Sequence, residues 1–362
     1  MTTAREQSCL ALGLAAGAAV MWILRHEHPL ELLDGLMHGG KKQPSEFLAR
    51  RVSELKPIPI KEIAAQVGKE IANGRQIVNM SQGVPCLPIF GEQAVAMAQL
   101  LEGQKLPYSP VAGIDSVRQS AAAFVNHAYG LRARFQASNV IVTAGGIQAC
   151  HCALGLVLEG PLDVLVATIP AYPLYQLEAT YFGATFGPIE MSAKGAGPPP
   201  HVLTAAFETH RRAGRHVRAV VLCAPNNPTG AVMSRDEAEG LAAVLEAELA
   251  REGSRGFIVL LDEVYIGIES DAHVSLLQFA SPSLQKRICL VLSASKGLGA
   301  MPGARAAWVT CGDGESTPCI PQTAYNTSHP SALPPSHAQR RWCWRWQRSN
   351  RAPRATLARL RR

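Results

Sequence analysis

Ile288-Cys289-Leu290-Val291-Leu292-Ser293-Ala294-Ser295-Lys296 carries five apolar residues into a polar turn that ends on a lysine, and Met301-Pro302-Gly303-Ala304-Arg305 follows. Two upstream stretches have the same form. The largely apolar residues 217–223 lead into Ala224-Pro225-Asn226-Asn227-Pro228-Thr229-Gly230, and residues 257–261 lead into Asp262-Glu263-Val264-Tyr265. Short β-branched and apolar runs of this kind read as buried strands. Three strands therefore end in an Asn, an Asp and a Lys. In an open parallel sheet, ligands bind at the carboxyl ends of strands, so the three side chains are expected to converge.

A lysine after a strand can belong to a phosphate-binding loop, but the glycine-rich turn that such a loop needs is missing ahead of Lys296. A lysine amine can instead form a Schiff base with an aldehyde, most usefully pyridoxal 5'-phosphate, which acts as an electron sink. That cofactor needs an amine for its aldehyde, a carboxylate for its ring nitrogen, donors for its phenolic oxygen and an anion site for its phosphate. Lys296, Asp262, the Asn227 and Tyr265 pair, and Arg305 with Ser293 can supply all four. The planar guanidinium of Arg305 suits a phosphate because it donates two parallel hydrogen bonds.

In these motifs the chain resembles the class I/II aminotransferases, fold-type I enzymes that depend on pyridoxal phosphate. The resemblance runs over residues 47–309, with Asn-Pro-Thr-Gly at 227–230, Asp-Glu-x-Tyr at 262–265, and Ser-x-Ser-Lys with a downstream Gly-x-Arg at 303–305 in family order. The Lys296 to Arg305 spacing is one residue longer than in most members, which fits a subgroup with an Ala-Met-Pro-Gly loop. The resemblance implies a three-layer α/β/α large domain with a mostly parallel sheet, an incomplete small domain, and a homodimer. It also implies transfer of an amino group from an amino acid to a 2-oxo acid through a Lys296 Schiff base, with ping-pong kinetics. Lys296 would move a proton between the substrate α-carbon and the cofactor. Asp262 would keep the ring nitrogen protonated, and Asn227 and Tyr265 would hold the phenolic oxygen. The same residues would serve a lyase or a cyclising synthase of this fold, so transamination is a family-level expectation.

Weaker signals fit around these. The segment from Val140 reads as a strand, a Gly145-Gly146 turn and a helix to Leu158; bare amides at a helix start form an anion site. Family resemblance assigns that role to the backbone of Gly146, Ile147 and Gln148. It also makes Tyr172 the aromatic that stacks on the cofactor ring, and Tyr108 the tyrosine that reaches the phosphate of the neighbouring subunit. Gly83 and Asn227 become substrate contacts. Taken singly, several of these read differently: Gly-Gly as a plain turn, Asp262 as a helix N-cap, Asn226-Asn227-Pro228 as a turn, Tyr265 as core. Their joint order with Lys296 favours the site. His151, His210 and His216 show no partner pattern and read as surface or helix residues. No spacing suggests a metal, since Cys150 and Cys152 diverge on a helix.

Composition bounds the rest. Of 362 residues, 47% are hydrophobic and 17% charged, as in a globular protein with a large core. The nine scattered cysteines fit reduced thiols better than a disulfide framework. Residues 9–24 form an uncharged apolar run, short against the about 17–25 residues of a spanning helix. It reads as a signal-like segment, a membrane anchor or a packed helix, which leaves a cytoplasmic or an organellar location open. A linker follows, and residues 47–90 start the small domain, with an amphipathic helix over 58–71. Residues 91–310 form the large domain. From 311 onward, nine Arg stand against Asp313 and Glu315, so the whole net charge of +7 sits there, with three of the five tryptophans. Such a segment can bind nucleic acid or anionic lipid. The sequence favours a non-homologous end instead. Family members continue for about a hundred residues after the phosphate arginine and there supply the arginine for the substrate carboxylate. No convincing equivalent is visible here, so a cofactor-binding but catalytically impaired homologue is the rival expectation.

Overall fold

Strands buried on both faces need helices on both faces, and the sheet of this protein is built that way. A computed structural model describes residues 51, 55, 59–79, 83–85, 91–102, 108–131, 135–193, 195–252, 256–268 and 273–312. The expectations for residues 9–24 and for the basic segment beyond 312 lie outside the described residues.

By contact the chain divides into Met1–Arg75 and Gln76–Arg362. In the first unit, α1 (Pro59–Ala72) is an amphipathic helix where residues 58–71 predict one. Gly74 ends it at φ +84, and its amide reaches back to the Ile71 carbonyl at 3.0 Å. A glycine accepts that conformation without the Cβ clash other residues suffer.

The second unit holds α2 (Gly91–Leu101), α3 (Asp115–Ala128) and a seven-stranded sheet. Its strands are β1 (Val140–Thr143), β2 (Asp163–Ile169), β3 (Thr185–Glu190), β4 (His216–Cys223), β5 (Ile258–Asp262), β6 (Ile288–Ser293) and β7 (Ala307–Cys311). The order across the sheet is β1-β7-β6-β5-β4-β2-β3. The four pairings from β3 to β6 are parallel, and β7 lies antiparallel between β6 and β1. Parallel neighbours need long crossovers, and α5 (Leu174–Tyr181), α6 (Pro200–Arg212) and α7 (Arg235–Glu252) make three of them. The β6–β7 step needs none. Residues 294–306 simply turn back, tied at the base by Ala294 N–H to the Ala306 carbonyl at 3.0 Å. Cys311, placed in the tail by the sequence reading, is buried and closes β7 opposite Cys289.

Side chains alternate along each strand, so every strand feeds two cores. Val259 and Leu261 of β5 pack with Phe124, Phe207 and Leu241 on the α3, α6 and α7 face. Ile258 and Leu260 pack with Ala149, Leu154 and Tyr175 on the other, covered by α4 (Gly146–Leu154) and α5. These are the three layers. Helix α4 stops at Leu154, four residues before the predicted end. Gly155 follows, and a Cβ there would sit 3.0 Å from Phe182 Cζ, so the close approach of Phe182 selects the residue that weakens the helix. The five described cysteines are all buried.

Candidate active site

The carboxyl ends of β4, β5 and β6 carry Asn227, Asp262 and Lys296, each from the loop or last residue of its strand. Lys296 is half-buried. Its Nζ donates to the Gly83 carbonyl and lies 5.5 Å from the centre of the Tyr265 ring. Loss of solvent holds the amine below its usual pKa.

Asn227 Nδ2 donates to the Tyr265 hydroxyl at 3.0 Å, joining the β4 and β5 loops. The preceding residue explains why Asn227 is available. Asn226 is buried and closes the turn itself: its Oδ1 accepts from Thr229 N at 3.2 Å and Thr229 Oγ1 at 2.9 Å, while its carbonyl takes Gly230 N–H at 2.8 Å. An Asx turn of this kind needs one Asn and frees the other. The Tyr265 phenol is pushed up to about 12, first by burial and then by the nearby Cys223 and Asp262.

Asp262 is 5% exposed. Its Oδ2 accepts from the Tyr175 hydroxyl at 2.8 Å and lies 3.9 Å from Cys150 Sγ; its Oδ1 takes the Val264 amide at 3.4 Å. Burial raises its pKa, and the Tyr175 hydrogen bond is the largest opposing influence. Tyr172 lies edge-on to Tyr175, with ring centres 6.4 Å apart. Its phenol is raised by burial and then by the charge of Asp262, and lowered by Arg305.

Arg305 stands at the start of α4. Its Nη2 donates to the Ala144 carbonyl at 3.1 Å and its Nη1 to the Pro302 carbonyl at 3.0 Å. Gly145 makes room for it: at φ +96, a Cβ would fall 2.0 Å from Nη2. The guanidinium therefore lies against Gly145, the N-cap of α4, whose first amides have no partner within the helix. Gln148 turns its side chain back, so that Oε1 accepts the Ala144 amide at 2.5 Å. The β6–β7 turn brings Arg305 and Lys296 to one edge of the sheet. Ala300, in between, is left-handed at φ 49, as is Arg305 itself.

Not every expected residue arrives in the open. The Ser293 hydroxyl is buried and donates to the Ala306 carbonyl at 3.2 Å while accepting the Ser295 amide at 3.1 Å, so it braces the turn. By strand alternation it follows Val291 onto the α4–α5 face, the face that also receives Asp262. Tyr108 is 98% exposed. His151 is not without a partner: its Nδ1 meets the buried Glu178 Oε2 at 2.7 Å and its ring stacks on Phe182 at 5.0 Å. Pairing between helices distant in sequence has no local signature, which is why the histidine pattern missed it. His210 lies on α6, as read, but His216 opens β4 and is half-buried. Tyr175 and Cys150 were also missed. For Cys150 the available signal was helical spacing, since it follows Gly146 by four on α4.

Among the described residues no cluster of His, Cys, Asp or Glu could hold a metal ion, and no helix is long and apolar enough to cross a membrane. The family model for aminotransferase class I and II matches residues 75–340. The chain is 28% identical over 271 residues to a probable aspartate/prephenate aminotransferase of Aquifex aeolicus, covering 73% of this chain and 63% of that protein. It is 29% identical over 201 residues to 1-aminocyclopropane-1-carboxylate synthase 7 of Arabidopsis thaliana, covering 53% and 43%. The chain thus spans under two thirds of the length of these curated relatives. In fold it is similar to aspartate aminotransferases from Rhizobium meliloti (TM-score 0.72, 21% identity, covering 88% of this chain and 73% of that one) and Thermus thermophilus (0.69, 23%, 85% and 74%). With the family match running through the whole sheet and all three strand-end loops, the chain belongs to the class I and II aminotransferases, whose cofactor is pyridoxal 5'-phosphate.

Proposed function

We propose that this protein transfers an amino group from an amino acid to a 2-oxo acid, with Lys296 as the amine that holds pyridoxal 5'-phosphate covalently. The observation that carries the reading is the meeting of four unlike groups at one sheet edge: a half-buried amine, a buried carboxylate, an amide–phenol pair and a guanidinium at a helix start. The donor set fits this cofactor. The cradle at Gly145, too tight for a Cβ beside Arg305, marks an anion site for a phosphate. When bound, the cofactor supplies an electron sink for the bond broken at the substrate α-carbon.

The chain's own residues do the rest. Lys296, with its pKa lowered by burial, has more of its amine neutral near neutral pH and can take and return a proton at the α-carbon. Asp262 would set a negative charge against the ring nitrogen. Asn227 and Tyr265, already bonded to one another, would donate to the phenolic oxygen. Arg305 with the Gly146 and Ile147 amides would hold the phosphate, and Tyr172 would cover the ring. Gly83, whose carbonyl meets Lys296, lies on the substrate side. We assign Tyr108, wholly exposed in one chain, to the site of a second copy in a homodimer.

A second reading, a lyase or synthase of the same fold, is supported by the 29% identity to the Arabidopsis cyclopropane-forming synthase. Borohydride reduction of the loaded protein should fix the cofactor to the peptide bearing Lys296, and Lys296→Ala should abolish the label. Label on another residue, or none, would overturn the reading. Keto acid released from a single amino acid without free ammonia marks transfer, and ammonia released alongside it marks elimination.

A further inference from the structure

Asp262 is a buried carboxylate in a nearly apolar layer, and an acid so placed tends to take up a proton. Two side chains outside the recognised motifs oppose that. Helix α5 delivers the Tyr175 hydroxyl to Oδ2 at 2.8 Å, and helix α4 brings Cys150 Sγ to 3.9 Å from the same oxygen. Both residues are 1% exposed, so neither donor has water as an alternative. One residue along α4 and three along α5, His151 and Glu178 meet at 2.7 Å. The two helices are therefore joined directly by His151 and Glu178, and through Asp262, whose Oδ2 both Tyr175 and Cys150 reach. Oδ1, by contrast, receives only the long Val264 amide contact among the described residues.

We propose that Tyr175 and Cys150 are positioning residues for Asp262: they occupy one carboxylate oxygen, keep the acid ionised inside the core, and leave the other oxygen to face the ring nitrogen. This rests on the cofactor reading only for what Oδ1 faces; the claim about ionisation concerns the protein alone. The groups around this carboxylate are few. Tyr175 comes from α5, Cys150 from α4 and Cys223 from β4, Glu263 follows in the chain, and Tyr172 and Tyr265 lie beyond them. Cys223, pushed up to about 12 chiefly by burial, stays a neutral thiol. Across β6 the register partner is the apolar Val291. The charge of Arg305 is felt at Tyr172, whose phenol it lowers. No described residue from these elements places a cation against the acid, so its charge depends on hydrogen bonds. A phenol is the strongest neutral donor available, and its own pKa is driven well up by burial and by Asp262, so it keeps the proton it donates.

The test uses the full-length, cofactor-free chain. Infrared titration follows the protonated carboxyl band of Asp262, identified as the band lost in Asp262→Asn. Tyr175→Phe should move its midpoint to higher pH by about one to two units, the size expected for a hydrogen bond to a charged group. Cys150→Ala should move it the same way by less. Tyr175→3-fluorotyrosine, a stronger donor of nearly the same shape, should move it down. An unchanged midpoint in a Tyr175→Phe protein with native circular dichroism would overturn the proposal. If that variant does not fold, an unchanged or raised midpoint in the fluorotyrosine protein does so. Because no cofactor is present, failure of the Lys296 labelling leaves this titration standing.

Discussion

Asp262 and Glu263 are neighbours at the tip of β5, both carboxylates and both buried, yet they live in opposite halves of the molecule. Strand alternation sends Asp262 to the α4–α5 face and Glu263 to the face beneath α3. There Glu263 is surrounded: Tyr129 donates to Oε2, Ser275 Oγ donates to Oε1 at 2.6 Å, and His273 Nε2 stands 3.3 Å from Oε2. Asp262 has one strong donor on one oxygen and a long contact on the other. The lesson is that one pair of adjacent acids divides two tasks. A saturated carboxylate fixes the turn; an under-supplied one is left with capacity for a ligand.

Substitution at each acid can break that division, and the largest effect is expected at Asp262. Asp262→Asn should slow the half-reaction with an amino acid on the order of 10²–10³-fold, as when one electrostatic group is removed from a reacting site. Glu263→Gln should change it less than about tenfold; equal losses measured by stopped-flow absorbance would dissolve the contrast. Stability should respond the other way. Glu263→Ala strands Tyr129, Ser275 and His273 in the core and should cost about 3 kcal/mol in urea unfolding of the cofactor-free protein. A loss under about 1 kcal/mol would show that this network is not holding the turn.

The smallest effect has the opposite sign. Burial raises the Asp262 pKa, so the folded state favours the protonated acid. The stability this gives is fully present below the unfolded value of about 3.9 and is lost as pH rises through the raised folded value. Cofactor-free Asp262→Asn should therefore be more stable than the parent by about 1 kcal/mol at pH 7. The difference should shrink toward zero as the pH falls below that of an unfolded carboxyl. A gap independent of pH would mean the charge of Asp262 is not its source.

How much of this was legible beforehand follows from where the information lies. The strands ending at Cys223, Asp262 and Ser293 announce themselves as apolar runs closed by Asn, Asp and Lys, because both the burial and the polar stop are local. Asn227, Tyr265 and Arg305 came with those runs. Tyr175 and Cys150 did not, since each lies on a helix whose facing partner is more than 80 residues away. Glu178, the partner of His151, lies only 27 residues away, but on a different helix, so no local period links the two. Ser293 was legible in position, while its bond to the Ala306 carbonyl was not, because that partner arrives only when β7 folds back beside β6. The end of α4 was misplaced because Gly155 answers to Phe182 and not to its own helix.

The turn over residues 294–306 has one more implication. It carries the amine near one foot and the guanidinium at the other, and its feet are fastened to adjacent strands. If Lys296 and Arg305 hold one cofactor as proposed, length there works as a ruler: the span between the two grips is written into thirteen consecutive codons. Insertions elsewhere can remodel what surrounds the ligand, but a single residue gained or lost in this stretch must be taken up by backbone such as the left-handed Ala300, or the two grips no longer reach the same molecule.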